Sequence, residues 1–187
     1  MTTRIRIVVA GALLATLTGC APEGELDVAG PWASEFEYAH EQTDNSFVEA
    51  AIADGVVTDQ EYMETIERLR ECLAAVGITL TVSGPSLEYS IPGDDPDRAH
   101  ANFTRCSGES GEDYIGWLYN GMRRNPENLN ESDILVACLI DEGLVDPGYS
   151  GADYERDAHD QTLPFANDDT AQHTYEKCID DPLGILE

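Results

Sequence analysis

Positive charge is what this sequence has least of. Ten Lys and Arg stand against 37 Asp and Glu, a formal net charge of −27, and Lys177 is the single lysine. A nucleic-acid binder needs clustered cations to displace the counterions of a phosphate backbone, so that class is excluded. A polybasic membrane contact is excluded on the same ground. Long apolar runs are also scarce: beyond the first twenty residues nothing approaches the roughly 18 apolar residues of a transmembrane helix. Chemistry-bearing motifs are missing as well. There is no Cys-x-x-Cys, no His-Glu-x-x-His, no phosphate loop and no dinucleotide fingerprint. The histidines, His40, His100, His159 and His173, sit at no metal-ligand spacing. Gly108-Glu109-Ser110-Gly111-Glu112 falls short of Gly-x-Ser-x-Gly and follows no strand. No catalytic residue, no metal and no cofactor is therefore expected.

What is present suffices to fold. Hydrophobic residues make up 42% of 187 positions, enough for one domain with a real core. The first twenty residues have their own logic. Arg4 and Arg6 precede an uncharged apolar stretch from Ile7 to Leu17, too short to span a bilayer. It ends Leu17-Thr18-Gly19-Cys20, which resembles the lipobox of bacterial lipoproteins. That resemblance implies a signal peptide over residues 1–19 and acyl chains (palmitate among them) on Cys20, a stable membrane anchor when two or more chains are present. Residues 20–30 then read as a short tether. A single helical domain is expected over 31–187, outside the cytoplasm.

Four further cysteines, Cys72, Cys106, Cys138 and Cys178, are an even number in an oxidising setting, which means disulfides. They belong to an internal repeat. Cys72-Leu73-Ala74-Ala75-Val76-Gly77-Ile78 and Cys138-Leu139-Ile140-Asp141-Glu142-Gly143-Leu144 share Cys-Leu-x-x-x-Gly-aliphatic. Ala99 to Cys106 and Ala171 to Cys178 share Ala-x-x-x-aromatic-x-cation-Cys. The pseudo-repeats cover about 58–107 and 131–179. Equivalent halves bridge alike, which favours Cys72–Cys106 and Cys138–Cys178; crossed pairings that respect the symmetry stay open.

The pattern predicts a mainly α protein with one small β-hairpin. Pro31 opens a helix whose stripe, Trp32, Phe36, Ala39, Thr43, Phe47 and Ala50, runs to a stop at Gly55. Thr58-Asp59-Gln60-Glu61 has capping-box form before a helix with Tyr62, Ile66, Leu69, Leu73 and Val76 on one face. Ile78–Val82 and Leu87–Ile91 alternate around Ser83-Gly84-Pro85, a hairpin. Asp95 or Asp97 caps a helix carrying Phe103 and Cys106, and Gly108 and Gly111 bound a loop. Tyr114, Trp117, Leu118 and Met122 mark one face of a helix ending near Asn125-Pro126. Ser132 caps the next, Tyr154 and Ala158 mark a short helix, and Asp168 or Asp169 caps the last. The tail after Pro182 reads as loose.

Two local features invite a functional reading. Asp54 to Glu61 resembles the second half of a calcium-binding EF-hand loop, but Ala50 and Ile52 stand where the first ligands belong, and a helical hairpin with a capping box accounts for the same residues. The segment from Asp113 to Asn128 holds Tyr114, Trp117 and Tyr119 and Arg123-Arg124. Aromatics and Arg dominate binding hot spots. Because Tyr114, Trp117, Leu118 and Met122 already form one face, the favoured reading is a central helix whose aromatics are core and whose Arg residues neutralise nearby carboxylates. Helical spacing also places Tyr119 and Arg123 on one face and Trp117 on another, so Tyr119, Arg123 and Arg124 are the candidate partner-binding residues, with Trp117 anchoring the helix inside.

Taken together, Leu17-Thr18-Gly19-Cys20, Asp54-Gly55 through Glu61, the two Cys-Leu-x-x-x-Gly motifs and Gly121-Met122-Arg123-Arg124-Asn125-Pro126-Glu127-Asn128 resemble the uncharacterised lipoproteins of high-GC Gram-positive bacteria. The resemblance implies a lipid-anchored protein on the extracytoplasmic side of the cell membrane and carries no activity. The expected function is an interaction or accessory module meeting a protein partner at the cell surface. The alternatives are a small-ligand-binding lipoprotein serving a transporter and a hydrolytic enzyme; a hydrophobic cleft with convergent polar groups favours those, and a flat acidic surface favours the module.

Overall fold

The computed structural model describes residues 26, 28–83, 86–90, 95–165 and 169–186. The expected signal peptide, Cys20, most of the tether and the Gly84-Pro85 turn lie outside the described residues. Within them the chain is mainly helical, with one two-stranded sheet: α1 Ala33–Gln42, α2 Ser46–Ile52, α3 Asp59–Ala75, β1 Thr79–Ser83, β2 Ser86–Ser90, α4 Pro96–Ser110, α5 Glu112–Arg124, α6 Glu131–Asp141, α7 Gly151–His159 and α8 Asp169–Asp180.

The single helix expected from Pro31 onward is two. Thr43 turns extended, and its hydroxyl accepts from the Asn45 N–H at 3.1 Å. Asn45 caps α2 by accepting from the Phe47 N–H at 3.0 Å, and its amide donates to the Gly108 carbonyl at 3.1 Å. A side chain that closes one helix start and bonds to another element offers the backbone a better arrangement than continuing the helix. The break shifts the apolar stripe by one residue. Val48, Ala51 and Ile52 are buried, whereas Ala50 is exposed.

α3 begins as expected. Thr58 accepts from the Glu61 N–H, and the Glu61 carboxylate accepts from the Thr58 N–H at 2.8 Å. The carboxylate of the EF-hand-like stretch is thus occupied by helix capping. Tyr62, Ile66, Leu69 and Leu73 are buried, as the spacing predicts. The repeat is visible in the backbone. The Ile78 N–H donates to the Leu73 carbonyl at 2.9 Å, and the Leu144 N–H to the Leu139 carbonyl at 2.8 Å. Gly77 and Gly143 stand at φ of +79° and +73°. Both helices end in the same left-handed closure, which glycine adopts without a Cβ clash.

Both disulfides join residues of equivalent helices, Cys72–Cys106 between α3 and α4 and Cys138–Cys178 between α6 and α8, with Cα atoms 5.5 and 5.7 Å apart. This is the pairing that the repeat favours. The aromatic three residues before the second cysteine also plays an equivalent part. Phe103 stacks on Tyr89 of β2 at 4.9 Å, and Tyr175 packs against Phe165 at 5.0 Å. The repeats differ in what lies between: an antiparallel hairpin pairing Leu80 with Tyr89 in the first, α7 in the second.

Three local expectations are corrected. No loop separates Gly108 from Gly111; α4 runs through Ser110, and Gly111, at φ +83°, is both its end and the start of α5. Asn130, not Ser132, caps α6, because its carboxamide oxygen reaches the Asp133 N–H at 2.9 Å while the Ser132 hydroxyl turns to Glu155. The tail is not loose over its described residues: the Asp181 carboxylate accepts from the N–H groups of Ile185 and Leu186 at 2.9 and 3.0 Å. Asp95 does cap α4, accepting from the Arg98 N–H. At the other end of the chain Leu26 and Val28 pack against the core, so the expected tether over 20–30 is not free along its whole length.

Two apolar clusters hold the structure. The larger is built from α1–α5 and β1 around Phe36, Ile52, Ile66, Leu69, Leu73, Ile115 and Leu118; the smaller, in α6–α8, surrounds Leu139, Phe165 and Cys178. Asn125 joins them. Wholly buried, it accepts the Trp32 indole N–H at its carbonyl (3.0 Å), donates to the Leu129 carbonyl and the Glu131 carboxylate, and accepts the Leu129 N–H at its side-chain oxygen. Every polar group of that side chain is satisfied, which is what burial requires.

Candidate functional site

A concave region lies along α5 beside this junction. It is a cleft of about 450 Å³, within the size range of small-ligand sites. Trp32 from the segment before α1, Glu112, Asp113, Gly116, Trp117, Asn120, Gly121 and Arg124 from α5, and Glu131 from α6 line it. Both tryptophans of the chain are therefore in its walls.

The geometry follows from α5. Ile115, Leu118 and Tyr119 face the larger core, so Trp117 must point away from it and is 42% exposed. Its ring meets Tyr38 edge-on at 6.2 Å and Trp32 at 6.5 Å. Tyr38 is itself 54% exposed. Gly121 lets Trp32 lie against the helix: a Cβ there would stand 2.9 Å from Trp32 Cζ3 and closer still to its neighbouring ring atom. A mid-helix glycine costs about 1 kcal/mol relative to alanine, so this close approach is obtained at the expense of helix stability.

The polar wall carries three carboxylates and one guanidinium. Arg124 pairs with Glu131 and donates to the Ile179 carbonyl at the end of α8, at 2.8 Å. Glu112 accepts the Ser107 hydroxyl at 2.6 Å. Asp113 accepts the Tyr114 N–H at 3.1 Å, and no described Lys or Arg pairs with it. Asp113 is exposed, and the partial loss of water on its cleft side raises its carboxyl from the ordinary aspartate value, against the pull of the backbone N–H groups.

The expected partner-binding residues are placed otherwise than helical spacing around Trp117 predicts. Tyr119 is buried and Trp117 exposed, the reverse of the expectation. The Tyr119 ring stacks on Tyr62 at 4.0 Å, and its hydroxyl donates to Asp59 at 2.8 Å. Arg123 is exposed but donates to that same hydroxyl at 2.6 Å. Arg124 is half-buried in the junction. The three do not form one open patch; Tyr119 and Arg124 are spent on internal contacts. A better stripe was present in the sequence: Ile115, Leu118, Tyr119 and Met122 follow the i, i+3, i+4, i+7 spacing, which leaves Trp117 outside. Nothing in the sequence pointed to Tyr38, whose exposure depends on how α1 docks beside α5.

Among the described residues no group of His, Cys, Asp and Glu is arranged to hold a metal ion, and no helix is long and apolar enough to cross a membrane. No family model, no curated protein and no solved structure matches this chain.

Proposed function

We propose that this protein is an extracytoplasmic lipoprotein, anchored by acylated Cys20, that serves as a recognition module at the cell surface through the α5 cleft. The observation that carries the reading is the exposed Trp117–Tyr38 pair, in which Trp117 is itself a wall of a cleft lined by both tryptophans. Two large exposed aromatics in ring contact beside a cleft are the residue type that binding hot spots favour. Two disulfides in a 187-residue chain fit an oxidising compartment, as the lipobox does. The concavity favours a second reading, a small-ligand-binding lipoprotein serving a transporter, because a flat surface would offer a small molecule too little contact.

Two measurements test this. Cys20→Ser should move the protein from the membrane to the soluble fraction; a variant still membrane-bound removes the anchor. A photo-crosslinking residue at Tyr38 should give a discrete adduct in living cells, and the same residue at exposed Met63 on α3 should not. Equal labelling from both positions, or none from Tyr38, defeats the recognition reading.

A further inference from the structure

We propose that the α5 cleft is a site for an organic cation, a guanidinium or alkylammonium group, held against the Trp117 ring, with Tyr38 beside that ring, and near the Asp113 carboxylate one turn earlier on α5. This rests on reading the cleft as the recognition site and adds the chemistry of what enters it.

Three observations converge. Aromatic rings present negative faces, and tryptophan attracts cations most strongly. Here the Trp117 ring meets Trp32 at 6.5 Å and Tyr38 at 6.2 Å, with Trp117 and Tyr38 exposed. The carboxylates beside them are not equivalent. Glu131 has Arg124, and Glu112 has the Ser107 hydroxyl. Asp113 is exposed and lines the cleft, accepts the Tyr114 N–H and has no described cation paired to it. An entering cation would supply the missing countercharge, whereas a neutral apolar group would desolvate Asp113 further and return nothing. The formal charge of −27 draws cations toward this surface and repels anions.

The two tryptophans are the only ones in the chain and both line the cleft, so intrinsic fluorescence reads the site directly. The probes are choline, Nα-acetylarginine amide and the neutral choline isostere 3,3-dimethylbutan-1-ol, at ionic strength fixed with NaCl. The cations should change the emission saturably, and the isostere should bind at least about tenfold more weakly. Asp113→Asn should weaken cation binding about tenfold or more with the melting temperature unchanged, and Trp117→Leu should abolish it. Tighter binding of the arginine amide assigns the cation to a protein side chain; tighter binding of choline assigns it to a free quaternary amine. Equal binding of the isostere, or an Asp113→Asn variant that binds cations as the parent does, overturns the proposal. If no cation binds while the Tyr38 crosslinker still yields its adduct, the cation assignment falls and the recognition reading stands.

Discussion

Gly111→Ala would test how α5, and with it the cleft, is set against the rest of the fold. Gly111 ends α4 and starts α5 at φ +83°, a backbone conformation that costs an L-residue about 1–2 kcal/mol. A Cβ at this position would stand 2.6 Å from Val48 Cγ2 and 3.4 Å from Ile115 Cδ1. Val48 is fully buried and β-branched, so it has no easy rotamer in which to retreat, and overpacking of this kind costs about 1–3 kcal/mol. The sum is about 2–5 kcal/mol. Gly143→Ala is the internal control. Its φ is +73°, but a Cβ there meets nothing within 4 Å, so the backbone cost of about 1–2 kcal/mol stands alone. Urea unfolding followed by tryptophan emission should place Gly111→Ala below Gly143→Ala by about 1–3 kcal/mol, or roughly 2–12 °C in melting temperature. Val48→Ala introduced with Gly111→Ala should return part of that difference, since the two sites are in contact. Equal losses at the two glycines, or strictly additive effects of the Val48 and Gly111 changes, would refute the steric argument.

Digestion without reduction should yield peptides linking Cys72 to Cys106 and Cys138 to Cys178, and loss of either bridge should cost roughly 2–5 kcal/mol in denaturant unfolding. A Cys72–Cys138 peptide from folded protein would contradict the pairing. Arg124→Ala, which strips Glu131 and the Ile179 carbonyl of their partner, should cost about 1–2 kcal/mol, whereas Arg123→Ala, which removes one bond to a Tyr119 hydroxyl that keeps Asp59, should cost about 0.5–1 kcal/mol. Equal losses would place the two arginines in one role. Asp153 caps α7, and the Ser150 hydroxyl, Arg156 and the Ser150 N–H lower its carboxyl from 3.8 to about 2. A depressed carboxyl stabilises the fold above its unfolded value and stops doing so as the pH falls through its folded value. Asp153→Asn should therefore flatten the acid limb of a stability–pH curve between about 4 and 2, and an unchanged limb would deny Asp153 that part.

Whatever depends on near neighbours in the chain was legible from residue type and spacing. The capping box at Thr58 and Glu61, the glycine closures at Gly77 and Gly143 and the alternation of the hairpin are contacts among residues a few positions apart, and residue type suffices to specify them. The disulfide pairing was legible for a different reason: the chain repeats itself, and symmetry constrains long-range contacts that spacing alone leaves open. The rest depended on contacts between segments far apart in the chain. The helix expected from Pro31 breaks at Asn45 because that amide finds the end of α4, a partner 63 residues away. The face of α5 was ambiguous because three aromatics within six residues allow two stripes; stacking of Tyr119 on Tyr62 and the Asp59 hydrogen bond select the one that turns Trp117 outward. Gly121 admits Trp32 to the wall of the cleft and α1 brings Tyr38 alongside Trp117, meetings of segments about 80–90 residues apart that no local pattern encodes.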